Sequence, residues 1–160
     1  MHQSPVLPPL HMYGILGTPL AQSLSPAIHN RAFASLGHPG AYFAWEKQDS
    51  ELPAFFEAVR GLPIAGLSVT IPHKRTVMAF LDEISPEARR AGAVNTVFRR
   101  NEQLVGDNTD VEGFLWPLCA REAALPSAGL VLGAGGACRA ALAGLSALGM
   151  TNLVVAARNP

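Results

Sequence analysis

Apolar positions along the chain fall into short runs with two rhythms, and the rhythms predict the elements. "MYGILG" (residues 12–17) is a compact apolar run ended by Gly-Thr-Pro, the pattern of a short buried strand. In "SLSPAIHNRAFASLG" the positions Ile28, Ala32, Phe33 and Leu36 recur at helical spacing. Ser25 suits the N-cap of that helix, Pro26 its first turn and Gly37 its stop. "AYFAWEK" reads as a second strand, and "DSELPAFFEAVRG" as a second helix capped by Asp49 or Ser50 and ended by Gly61. The grammar repeats with a strand over 66–71, a helix from Pro72 to residue 84, and a short helix from Ser85 and Pro86 through Arg90. "AVNTVFRRNEQLVGDNTD" predicts two strands turning at 100–102, and a helix from Asp110 follows, with a kink expected at Pro117. "LVLGAGGACRAA" predicts strand, glycine turn and helix, and "NLVVA" a last strand buried on both faces.

Strands alternating with helices predict an α/β fold. Its first part is a mostly parallel sheet flanked by helices on both faces, with the hairpin adding an antiparallel strand. Its second part is the first β-α-β unit of a Rossmann dinucleotide-binding domain. Residues 1–11, broken by Pro5, Pro8 and Pro9 and lacking an apolar run, read as a flexible leader and not as a signal peptide. Residues 12–109 read as the first domain, and 110–160 as a linker helix and an incomplete second unit beginning at 125–129.

Composition narrows the classes. With 49% hydrophobic and 15% charged residues the chain has material for a core, which excludes global disorder. Twelve basic and twelve acidic residues cancel without a basic stripe, which argues against nucleic acid and anionic membrane surfaces. No stretch is long enough to cross a bilayer. Cys119 and Cys138 have no metal-like spacing, so no metal is expected and a reduced, cytoplasmic setting is the default.

Four clusters fall where parallel α/β folds place ligands, at the carboxyl ends of strands. Ser23 and Ser25 follow the first strand, where hydroxyls and free N–H groups at a helix start suit a carboxylate. Lys74, behind "SVTIPH", points to the same cleft and can bind hydroxyls or pass a proton; His73 and His29 read as solvated. Asn95 in "GAVNT" and Asp110 in "GDNTD" can grip a vicinal diol or orient a lysine. "GAGGACRA" departs from G-x-G-x-x-G, with Cys138 at the third glycine position, yet stands between a strand and a helix as a pyrophosphate loop does. Arg158 follows the last strand, where an acid would suit the 2′-hydroxyl of NAD and an arginine the 2′-phosphate of NADP. Each feature alone has an ordinary reading as a cap, a turn or a solvated surface residue.

Together they are specific. "YGILGTPLAQSLSPAIHN", "SVTIPHK", "GAVNT", "GDNTD" and "GAGGACRA", in that order and spacing, resemble the shikimate dehydrogenase family from residue 12 to 160. The resemblance implies a substrate domain followed by an NADP-binding domain, and the reversible NADPH-dependent reduction of 3-dehydroshikimate to shikimate in aromatic amino-acid biosynthesis. It implies that Ser23 and Ser25 hold the substrate carboxylate, and that Lys74 and Asp110 are the catalytic pair, with Lys74 exchanging the proton. It further implies that Thr70 and Asn95 hold ring hydroxyls, that Gly133, Ala134, Gly135, Gly136 and Ala137 form the pyrophosphate loop, and that Arg158 lies by the 2′-phosphate. It leaves room for a homodimer.

Two stretches depart from the family pattern: Ser68 replaces an asparagine, and Ala157-Arg158-Asn159 replaces Asn-Arg-Thr. Family members continue for on the order of a hundred residues more, so the chain is expected to be a piece of such an enzyme, inactive alone, with a poorly buried second unit. Two other readings stay open. One is a relative acting on quinate with NAD; the other is a non-catalytic module that keeps the shikimate pocket.

Overall fold

The computed structural model describes residues 10–120 and 126–158. The predicted leader lies outside the described residues except for Leu10 and His11, and His11 already belongs to the first strand.

β1 (His11–Gly17), β2 (Gly40–Glu46) and β3 (Ile64–Val69) are parallel, with β1 in the middle. The hairpin of β5 (Thr96–Arg100) and β6 (Gln103–Asp107) joins the free side of β3, and the short β4 (Glu83–Ile84) pairs with β6. The order is β2-β1-β3-β5-β6-β4, and β5 alone runs against its neighbours. Asn101, at φ 56, makes the hairpin turn, a conformation asparagine tolerates better than most residues.

Alternation along the strands sends successive side chains to opposite faces. On one face Leu16, Leu67, Val69, Val97 and Leu104 meet α2 (Leu52–Gly61), which contributes Leu52, Phe56 and Val59 at helical spacing. On the other, Ile15 and Tyr42 meet Phe33 of α1 (Ser25–Leu36). Asn30 of that helix donates to the Tyr42 carbonyl and accepts from the Tyr42 amide, tying α1 to the edge strand. Burial pushes the Tyr42 phenol up, partly offset by its 2.8 Å hydrogen bond to the Ser68 hydroxyl.

Several expectations change here. Leu24, not Ser25, occupies the N-cap of α1. The apolar stripe of α1 is largely open: Ile28 and Leu36 are exposed, so the second sheet face is covered only beside β1 and β2. Asp49–Glu51 forms a short 3-10 turn before α2, with Gln48 and Glu51 in a capping box, and Gly61 belongs to the helix. The predicted helix over 72–84 is replaced by a 3-10 turn, Thr76–Phe80, followed by β4. The carbonyl of Lys74, which an α-helix would bond to residue 78, instead accepts from Val94 N at 2.7 Å, and Val77 still reaches the core, fully buried.

The second unit is β7 (Ala128–Leu132), α5 (Gly136–Ala147) and β8 (Asn152–Ala156), with the strands parallel. Ala140 of α5 docks against Ala91 of α3 (Pro86–Ala91) and Val111 of α4 (Thr109–Cys119), with Pro117 inside α4. The last strand is not buried on both faces: Val154 and Val155 are exposed, because two strands and one helix cannot cover both sides of a sheet. No helix among the described residues is long and apolar enough to cross a membrane, and no cluster of metal-ligating side chains occurs among them.

Candidate active site

The predicted polar residues gather at the carboxyl ends of β1 and β3 and around the start of α4. Asp107 ends β6, Asn108 caps α4, and Asp110 lies in its first turn. The Asn108 side chain accepts from the amides of Asp110 and Val111 at 3.1 and 3.3 Å. Its own amide donates to the Ala93 carbonyl at 2.8 Å, within a residue that is 2% exposed. That arrangement aims the Asp110 carboxylate toward the strand ends.

Lys74 reaches it from the segment after β3. Its Nζ donates to Asp110 Oδ2 at 2.5 Å, with the lysine side chain 17% exposed. The other oxygen, Oδ1, accepts from Asn95 Nδ2 at 2.8 Å. Asn95 is itself fixed from both sides: its carbonyl accepts from Val69 N at 2.7 Å, its amide donates to Asp107 O at 3.0 Å, and its Oδ1 accepts from Thr109 N. Lysine, carboxylate and amide, from three separate parts of the chain, form one hydrogen-bonded cluster. An ammonium has three N–H donors, so two remain on Lys74 for a ligand oxygen.

Thr70 stands directly after β3 with its amide on Leu16 O at 2.9 Å, and its methyl packs against Gly17, leaving no room there for a Cβ. Ser23 and Ser25 follow β1, and the Ser23 hydroxyl accepts from Ser25 N at 3.4 Å. Glu46 orders this loop by accepting from Leu20 N and from the Thr18 hydroxyl. Among the described residues no hydrogen bond links Ser23, Ser25 or Thr70 to the Lys74 cluster; they share the same end of the sheet. Ala134, Gly135 and Gly136 line one cleft with Lys74, Arg75 and Arg139. Gly133 has φ 103, which favours glycine, and Gly135 precedes α5 with no side-chain cap and no acid in the first turn. Those free amides and neighbouring cations suit the diphosphate of a dinucleotide. Arg158 is exposed beyond the end of β8.

Two histidines that read as solvated are packed into the fold instead. His73, expected to be solvated, is fully buried; its Nδ1 lies 2.8 Å from Asp49 Oδ1 and its Nε2 2.7 Å from the Lys47 carbonyl. Those partners lie 24 and 26 positions away, and no local pattern announces them. His29 is half-buried, stacked on Tyr42 with ring centroids 4.1 Å apart. Asn108 was legible in principle, since asparagine is among the preferred N-cap residues.

Residues 15–97 match the family described as the shikimate dehydrogenase substrate binding domain. An NADP(+) shikimate dehydrogenase of Oleidesulfovibrio alaskensis is 52% identical over 151 residues, covering 94% of this chain and 54% of the relative. One from Pelobacter propionicus is 46% identical over 90% of this chain and 52% of its own length. The crystal structure of shikimate 5-dehydrogenase from Thermus thermophilus in complex with NADP(H) and shikimate matches with TM-score 0.80 and 44% identity, over 94% of this chain and 57% of that one. A 5-ketofructose reductase of Gluconobacter, 31% identical, matches with TM-score 0.77 over 92% of this chain and 53% of its own. The chain thus spans about half the length of the relatives it matches. With the family motif covering more than half of its residues, and its strand ends carrying the lysine, carboxylate and amide in contact, the chain belongs to the shikimate dehydrogenase substrate-binding domain family.

Proposed function

We propose that this chain supplies the substrate-binding part and the first cofactor-binding unit of an NADP-dependent shikimate dehydrogenase, an oxidoreductase that interconverts 3-dehydroshikimate and shikimate. The observation that carries the reading is the Lys74–Asp110–Asn95 cluster at the strand ends. In this reading residues 12–109 form the substrate domain, and 110–160 the linker helix and the start of the cofactor domain.

NADPH, when held by the 133–137 loop, would supply the hydride for a substrate carbonyl. Lys74 donates its proton to the carbonyl oxygen as that oxygen gains charge, and takes a proton from the hydroxyl in the reverse direction, so each turnover consumes or releases one proton. Asp110 holds the lysine in place through its 2.5 Å contact and, with Asn95, accepts or donates to neighbouring ring hydroxyls. Ser23 and Ser25 bind the substrate carboxylate with neutral donors, and Thr70 holds a ring hydroxyl. Anchoring one end of a small polyol fixes which carbon faces the hydride donor. Gly133, Ala134, Gly135, Gly136 and Ala137 offer backbone amides to the cofactor diphosphate, and Arg158 offers its guanidinium to the 2′-phosphate.

Titrating the chain with shikimate by NMR tests the substrate half: amide shifts should cluster at Ser23, Thr70, Lys74 and Asn95. In an enzyme that contains this chain, Lys74→Ala should abolish turnover; full activity in that variant would sink the assignment. Rates with quinate and with NAD, measured alongside, separate this reading from a polyol dehydrogenase of different preference, a choice the 5-ketofructose reductase neighbour makes worth testing.

A further inference from the structure

Gly136 comes from the glycine loop and Lys74 from the segment after β3, and both line one cleft. A Cβ built on Gly136 would lie 2.9 Å from Lys74 Cδ, and 3.8 and 3.9 Å from its Cε and Cβ. Carbon atoms pack at roughly 3.5–4 Å, so any side chain here must displace the lysine stem by about 1 Å or push α5 away. The stem has little freedom to yield, because Nζ is held by Asp110 at 2.5 Å and the backbone carbonyl by Val94 N at 2.7 Å.

Gly135 is different. A Cβ there meets nothing within 4 Å, and its φ of −78 is ordinary for any residue. Gly136 also lacks a positive φ and opens a helix, where alanine is a better former than glycine. Backbone conformation therefore does not require glycine at 136; the lysine stem does.

We infer that Gly136 is a positioning residue for Lys74: its missing side chain is the space in which the lysine stem lies, so the cofactor loop helps set the distance between Lys74 and Asp110. This rests on the proposed role of Lys74 for its importance to turnover, but the contact itself does not. It gives the glycine loop a second task besides presenting amides to a diphosphate. It also makes α5 and the substrate sheet mechanically dependent at the proton-carrying group.

The chain has two lysines, Lys47 and Lys74, which makes the test direct. A brief pulse of acetic anhydride, read by peptide mass spectrometry, gives the labelling of Lys74 relative to Lys47, which pairs with Glu51 at 3.0 Å. Gly136→Ala should raise that ratio about two- to fivefold, the factor expected when a partly exposed ion pair is loosened, and Gly135→Ala should leave it at the parent value. Equal ratios in all three proteins, or equal increases in both variants, overturn the inference. A constant Lys47 rate and unchanged circular dichroism show that each variant is folded. Shikimate added to the parent should protect Lys74; absence of protection would count against the substrate reading and leave the Gly136 contact standing.

Discussion

Asn108 offers the sharpest test of how the site is built, because one side chain performs two separable tasks. Its Oδ1 caps α4 through Asp110 N and Val111 N, and its Nδ2 satisfies the Ala93 carbonyl. Asn108→Ala removes both. Loss of a cap costs about 1 kcal/mol, and stranding a desolvated carbonyl about 1–3 kcal/mol. The sum, roughly 2–4 kcal/mol, is a large share of the stability of an ordinary domain. Asn108→Ser keeps a capping oxygen and gives up only the bond to Ala93, so it should be more stable than the alanine variant by about 1 kcal/mol. Urea titrations followed by circular dichroism measure both. With a slope of roughly 2 kcal/mol per molar, the alanine midpoint should fall by about 1–2 M and the serine midpoint by clearly less. The proposed function rides on the same bonds: the frayed helix start lets Asp110 swing, so under that proposal Asn108→Ala should also weaken binding of shikimate more than the serine variant does. Serine and alanine variants of equal stability, or an alanine variant within about 0.5 kcal/mol of the parent, would refute the two-task account.

Other consequences follow from packing and charge. At Gly106 a Cβ would meet Leu81 Cδ1 at 2.5 Å and the buried Val94 Cγ2 at 2.9 Å, so Gly106→Ala should destabilise the first sheet by about 1–3 kcal/mol in the same titration, and a neutral result would show that the β6 floor yields. The Arg60 guanidinium, bonded to both Asp82 oxygens, and the Leu104 amide hold the Asp82 carboxyl below its ordinary value. A depressed carboxylate stabilises above the unfolded value of about 3.9 and ceases to do so as the pH falls through the folded one. The stability gap between parent and Asp82→Asn should therefore be present at pH 5 and shrink toward pH 2; an equal gap at both would refute it.

Much of the site was written in local pattern. Strand ends, helix starts and the glycine turn placed Ser23, Lys74, Asn95, Asp110 and the 133–137 loop at strand ends of an α/β fold, because short-range periodicity and turn chemistry act within a few residues. Apolar runs together with their turn residues also predicted the hairpin and the strand-turn-helix of the second unit. Local pattern misread residues 72–84, since the apolar spacing there is compatible with a helix and the competing partner, Val94 N, lies 20 positions from Lys74. It misread His73 for the same reason, because Asp49 and the Lys47 carbonyl reach it only after β2 and β3 are paired beside β1.

The sequence by itself determined which residues are present and which edge of the sheet they occupy. Only the tertiary structure decided which of them touch: Lys74 on Asp110, Asn95 on its other oxygen, and the Lys74 stem against Gly136. The physical reason is range. Propensity and periodicity are properties of neighbouring residues, whereas a hydrogen bond across 36 positions exists only when sheet register and helix docking bring both ends to within about 3 Å.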